Sequence, residues 1–447
     1  GHTGRKMVRI SLMAKRILQK PRRDVLAGLG AAALAASLPR VATAQAPQSL
    51  ALQAKPRTIA LRPGQAETPV WSLERQPPLP RLKRGQLEIG MRNQLPVSAA
   101  LDWRGLDGAL DAEPLTARVP LAAGAQTSFA IALRDAGTSF CDLWLLGDGE
   151  ARPARPLPIV VEEDKAPEID RDELFLLENW RIRADGTVVA PGTAANDTQS
   201  LYTVNGRVLT DISMRQHQRL RLRFINGVQR QIVAVKIDDH DVWVMALDGQ
   251  PSEPFLARNG ALVLAPGGRA DVFVDASAAP GSSAQILLHD GQQSRPIGRL
   301  ITSNEPAMRQ SPLPPAAMLP TNGLPAELNL KNALRFELPL NGPEWVAPTH
   351  FVVSATPAFQ AKAGRIVVLA LSNRASIASV FHLHGHHFRL LDRLDDGWKP
   401  FWLDTLAVEP GQTQRIAFAA EHAGHWLLES TATDWAAPRL VRWYGVG

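Results

Sequence analysis

Apolar and polar residues alternate with a period of two along much of the chain, and long stretches of helical period are nearly absent. Arg219-Leu220-Arg221-Leu222-Arg223-Phe224 puts apolar side chains on one face and cations on the other, which predicts a half-buried strand. Arg365 to Leu371 and Ala261 to Ala265 are short apolar runs of strand length. Turn-forming pairs separate such runs: Asn205-Gly206, Asp248-Gly249, Pro266-Gly267-Gly268 and Pro410-Gly411. The pattern predicts an all-β protein built of β-sandwiches. A charged stretch from Glu162 to Asp170 and a proline-rich one from Asn304 to Glu327 read as linkers. They divide the chain into domains of 47–161, 172–303 and 327–447.

Composition sharpens this picture in one place. The chain has 447 residues, 45% hydrophobic and 21% charged, enough for real cores and too apolar for wholesale disorder. Its formal charge of +6 would suggest an anionic partner. Residues 1–46, however, hold nine basic residues and one acid, Asp24, so the remainder has 40 basic and 42 acidic residues. Nucleic acid therefore loses its support as a partner. Arg22-Arg23, the small apolar run from Val25 to Pro39 and Ala42-Thr43-Ala44-Gln45-Ala46 together read as a signal peptide, with twin arginines as in Tat export. The apolar run is too short to span a bilayer. An amphipathic first helix is the weaker reading, since alanine and glycine supply no apolar face.

Histidine is distributed unevenly. None lies between His2 and His217, and six of the eleven fall from His382 to His425. In Phe381-His382-Leu383-His384-Gly385-His386-His387-Phe388, a strand would put His382, His384 and His386 on one face, as a metal site needs. An edge strand whose histidines have ordinary hydrogen-bond partners explains the same spacing. The single cysteine, Cys141, excludes disulfides within the chain and CxxC sites, and reads most simply as a core residue. No GxSxG, P-loop, HExxH or Rossmann pattern occurs.

FHLHGHHFRLL from Phe381 resembles a copper motif of the three-domain multicopper oxidases, and the stretch from Trp402 to Trp426 resembles the segment leading to their last copper motif. LYTVNGR from Leu201, MALDGQP from Met245, LAPGGRADVFV from Leu264 and MRNQLPVSAALDWRG from Met91 agree with that family too. The resemblance implies three tandem cupredoxin-like Greek-key β-sandwich domains. It also implies where copper ligands would stand. His382 and His384 match two trinuclear-cluster histidines, while Asp102, Arg104, Asp142, Glu429 and Thr431 stand at or beside former ligand positions of that cluster. Trp144 stands at one further ligand position. Ser379, Ser430 and Trp435 fill the three places of the mononuclear blue-copper site, which requires one thiolate and two imidazoles.

The first domain contains no histidine, so the resemblance implies a relative that has lost its copper chemistry. Its design resembles the Tat-exported, copper-free members of the family that serve the bacterial division septum. That implies a periplasmic, non-enzymatic binding or scaffold role, with unidentified envelope proteins as partners, the Tat translocase during export, no stable membrane span and no cofactor. On this reading Asp102, Arg104, Asp142, Glu429 and Thr431 converge on His382 and His384 as a salt-bridge network between the first and third domains. The alternatives are a metal-dependent oxidoreductase, a new site of two histidines and one or two carboxylates suited to zinc or iron, or a peripheral copper or zinc site at His386, His387, His422 and His425. His425 by itself reads as an exposed strand residue.

Overall fold

The computed structural model describes residues 48–76, 81–146, 152–391 and 398–447, with the side chains of 398–400 outside the description. The expected signal peptide lies outside the described residues. Among the described residues there is no α-helix, only strands and three short 3-10 turns.

The strands assemble into six sheets that pair in sequence order. Between Gln48–Ile59 and Leu157–Glu162, a five-stranded and a four-stranded sheet enclose a core containing Leu50, Ile89, Cys141 and Ile159. Between Arg171–Arg183 and Ser294–Thr302, a seven-stranded and a five-stranded sheet enclose Phe175, Phe224, Val272 and Ile286. Between Leu334–Pro339 and Leu440–Val446, two five-stranded sheets enclose Leu369, Phe381, Phe418 and Tyr444. Each sandwich thus buries the apolar half of an alternating pattern from both of its sheets.

The strand Arg219–Asn226 departs from its expected exposure: all eight residues are buried. Its cationic face meets carboxylates instead of water. Arg219 pairs with Asp275 at 2.8 Å, Arg221 with Asp271 at 2.7 Å and Glu163 at 2.8 Å, and Arg223 with Asp172 at 2.8 Å. Two of those partners, Glu163 and Asp172, lie in or just beyond the first linker, which therefore packs as a lid over the arginine row. The second linker is pinned likewise: Arg309 holds Asp170, and the Asn322 side chain bonds the backbone of Ala136 and the Gln250 amide.

Candidate functional site

The seam between the first and third sandwiches is built by two strands of each. Ser98–Arg104 pairs antiparallel with Gly137–Leu146, which places Asp102 opposite Asp142. Ser379–Leu383 pairs with Gly424–Ala432, which places His382 opposite Glu429 and Val380 opposite Thr431. Side chains of a strand alternate between faces, so His382, Glu429 and Thr431 point out of the third sandwich toward the first.

The same alternation sends Ser379 and Ser430 inward. Ser430 Oγ donates to the Leu340 carbonyl at 2.7 Å within the third core. Trp435 lies elsewhere, its ring 5.3 Å from the Arg181 guanidinium of the second sandwich. Cys141 belongs to the first core, where burial pushes its thiol well above the ordinary range.

The expected single face for three histidines is not formed. The strand ends at Leu383, and Gly385 turns the chain at φ +83 with its α-carbon against the Trp426 ring. His384 follows His382 into the seam, while His386 turns to the Tyr444 hydroxyl at 2.8 Å and accepts the His422 backbone N–H. His387 lies between Asp107, 2.8 Å from Nδ1, and the Asp248 carbonyl, 2.7 Å from Nε2. His425 is exposed and packs on Trp443. His386 and His422 approach each other, with ring centroids 5.1 Å apart, but His387 and His425 face other partners, so the four do not converge as a peripheral site would require.

In the seam, His384 Nδ1 lies 2.7 Å from Glu113 Oε1 and Nε2 lies 2.6 Å from Glu429 Oε2. Both ring nitrogens donate to carboxylates, so the imidazole is held as a cation. Burial opposes that charge, and Glu113 and Asp102 overcome it, raising the pKa well above the usual histidine range. His382 differs: Nδ1 donates to the Asp404 carbonyl at 2.8 Å, and burial together with Arg104 holds the ring neutral. Its Nε2 lies 4.0 Å from Glu429.

Asp102, His382, His384 and Glu429 each offer one ligand-type atom, all within 4.8 Å of one another and all buried. Asp102 lies 3.7 Å from His384 Nδ1, and its Oδ2 has no hydrogen-bond partner. Burial pushes its carboxyl up to about 7, with Glu429 and Asp142 adding to the effect.

Two guanidiniums frame the cluster. Arg439 bridges Glu429 at 3.0 Å and Asp142 at 2.8 Å and lies over the Trp144 ring. Against the cost of burial, Arg439 and His384 hold the Glu429 carboxyl well below its ordinary range. Arg104 donates to Thr405 Oγ1 at 3.2 Å and lies 4.0 Å from Glu429. Thr431 lines the same small cavity as His382, Arg104 and Asp142, about 40 Å³ and room for a few waters.

The sequence pattern thus brings together His382, His384, Asp102, Asp142, Arg104, Glu429 and Thr431. It missed Glu113, Arg439, Asp404 and Thr405. Glu113 follows a 3-10 turn and Arg439 a loop ending in Pro438, so no periodicity marks either as part of the cluster. His382 is oriented by a backbone carbonyl, which leaves no residue-type signal.

Three stacked cupredoxin-like sandwiches with a buried histidine–carboxylate cluster between the first and third define the class of protein. Family models described as multicopper oxidase match residues 173–285 and 326–446, together just over half of the chain. The multicopper oxidase MmcO of Mycobacterium tuberculosis is 24% identical over 408 residues, covering 77% of this chain and 76% of that protein. Lac15 from a marine microbial metagenome is 26% identical, with a TM-score of 0.72, over 90% of this chain and all of that one. A multi-copper oxidase from Pseudomonas thermotolerans shares the fold at TM-score 0.74 and 23% identity over the same shares. The chain belongs to the multicopper oxidase superfamily.

Proposed function

We propose that this chain is an exported member of the superfamily that has given up copper redox chemistry and works as a binding or scaffold protein of the periplasm. The observation that carries the reading is the make-up of the seam: His384 lies between Glu113 and Glu429, and Arg439 ties Glu429 to Asp142 beside it. A trinuclear copper cluster needs many neutral imidazoles with free nitrogens; here two imidazoles stand among four carboxylates and two guanidiniums. The residues also do not fit a blue-copper centre, because Ser430 is hydrogen-bonded in the core and the thiol of Cys141 lies in another sandwich. Among the described residues no helix is long and apolar enough to cross a membrane. Export by the Tat route and a role with envelope or division proteins rest on the twin-arginine leader and on the resemblance to copper-free relatives.

Metal analysis of protein recovered from the periplasm tests this. Less than one tightly bound copper per chain is expected, with no blue absorption and no oxidation of phenols or cuprous ion. Stoichiometric copper with turnover would establish the rival reading, an oxidase, which the names of its relatives favour.

A further inference from the structure

We infer that the seam cluster is a mononuclear binding site for a redox-inert divalent cation of the zinc class, held by Asp102, His382, His384 and Glu429. The inference does not rest on the scaffold reading, since a zinc-class ion carries no electron path.

The donor set is two imidazole nitrogens and two carboxylate oxygens, the types that zinc takes in four-coordinate sites. All four residues are buried, and their ligand-type atoms lie within 4.8 Å of one another. Tetrahedral bonds of about 2.1 Å would set the atoms roughly 3.4 Å apart, so side-chain movements of about 1 Å suffice. Asp102 Oδ2, on a residue only 2% exposed, has no protein partner. Such an atom is costly unless something binds it.

Both histidines carry the outer partners that ligating histidines use. His382 Nδ1 donates to the Asp404 carbonyl, which leaves the Nε2 lone pair facing Glu429. His384 Nδ1 donates to Glu113, a carboxylate–histidine arrangement. His384 Nε2 and Glu429 Oε2, 2.6 Å apart, already face one another across the space the ion would take.

Charge favours a cation. The groups in ion-pair contact here are the carboxylates Asp102, Glu113, Glu429 and Asp142, and the guanidiniums Arg104 and Arg439. The buried Arg230 lines the adjoining cavity near Asp142 and Glu429, so with both imidazoles neutral one negative charge remains. Asp404, which also faces His382, is matched by Arg269. Four protein donors leave no open position, so the ion would join the first sandwich to the third and would not be a reaction centre.

The test is calorimetric titration of the chelator-stripped full chain with zinc chloride, with cobalt as a reporter of coordination. One ion per chain, a tetrahedral cobalt spectrum and an unfolding midpoint that rises with zinc are expected. Asp102→Asn, nearly isosteric, weakens zinc at least about tenfold, and Glu113→Gln weakens it about 10–100-fold through the histidine it orients. His387→Gln leaves it unchanged. Absence of saturable uptake by the folded wild-type chain overturns the inference, as does equal affinity in Asp102→Asn and Glu113→Gln. Copper-dependent phenol oxidation would bear on the scaffold reading alone.

Discussion

Replacing Arg439 by methionine removes the charge that ties the seam together while keeping most of the side-chain volume. Arg439 contacts Glu429 at 3.0 Å and Asp142 at 2.8 Å, and both carboxylate side chains are less than a tenth exposed. Breaking a buried pair from one side leaves the partner charged and unsolvated, at a cost of about 3–5 kcal/mol. Glu429 keeps its bond to His384, so about 3 kcal/mol is expected. Stability would be read from urea unfolding in chelator, with fluorescence and circular dichroism required to coincide. The deficit has a direction with pH. Glu429 has a depressed carboxyl in the native protein, so its pairing contributes stability above the ordinary carboxylate range and loses it on acidification. Arg439→Met should therefore be most destabilised near pH 8, and the deficit should shrink only as pH falls below the ordinary carboxylate value of about 4.5 toward the depressed value Glu429 has in the native protein. Adding Glu429→Gln and Asp142→Asn should cancel most of the loss, since the combined variant leaves no carboxylate of the pair charged and unmatched. A cost below about 1 kcal/mol at pH 8, or no recovery in the combined variant, would refute the view that Arg439 balances this charge cluster.

Three further outcomes follow from individual contacts. In chelator, Asp102→Asn should stabilise the chain at pH 8 by roughly 1–3 kcal/mol: burial raises this carboxyl to about 7, so its contribution is present below the ordinary aspartate pKa and lost as pH rises through about 7. The gain should vanish by pH 4 in urea titrations. His387 is raised to about 10, burial being outweighed by Asp107, so its stabilisation is full below the ordinary histidine value of about 6.5 and lost as pH climbs to about 10. His387→Gln should flatten that alkaline decline in unfolding midpoint. Gly385→Ala should lower stability by about 2–4 kcal/mol in the same assay, because φ is +83 and a Cβ would lie 2.4 Å from the Trp426 ring.

The two-residue period made the sandwiches legible, because burial of alternate positions is what a packed sheet demands of its sequence. It failed at Arg219 to Arg223, where the cationic face is also buried. Alternation reports that two faces differ in polarity; it does not report what covers the polar one. Glu163 and Asp172, which cover it, come from a segment that reads as a linker. At the seam, His382, Glu429 and Asp102 are legible because they stand at or beside the ligand positions of the family's copper motifs, and register then sets His382 across from Glu429 and Asp102 across from Asp142. Glu113 and Arg439 were not, since each reaches the cluster from a turn or loop whose course depends on the tertiary fold.

That asymmetry bears on what the seam does. Groups presented by strands keep the geometry of the fold whatever their chemistry, as Asp102 opposite Asp142 and His382 opposite Glu429 illustrate. Groups delivered by loops are freer to change, and here they supply Arg439 and Glu113, which set the ionisation of Glu429 and His384. The strands therefore hold a fixed set of donors, and the loops decide whether those donors are occupied by protons or by an ion. A seam compensated in this way can join the first and third sandwiches in either state. The chemistry of the seam is then set by these particular side chains, and family membership alone does not determine it.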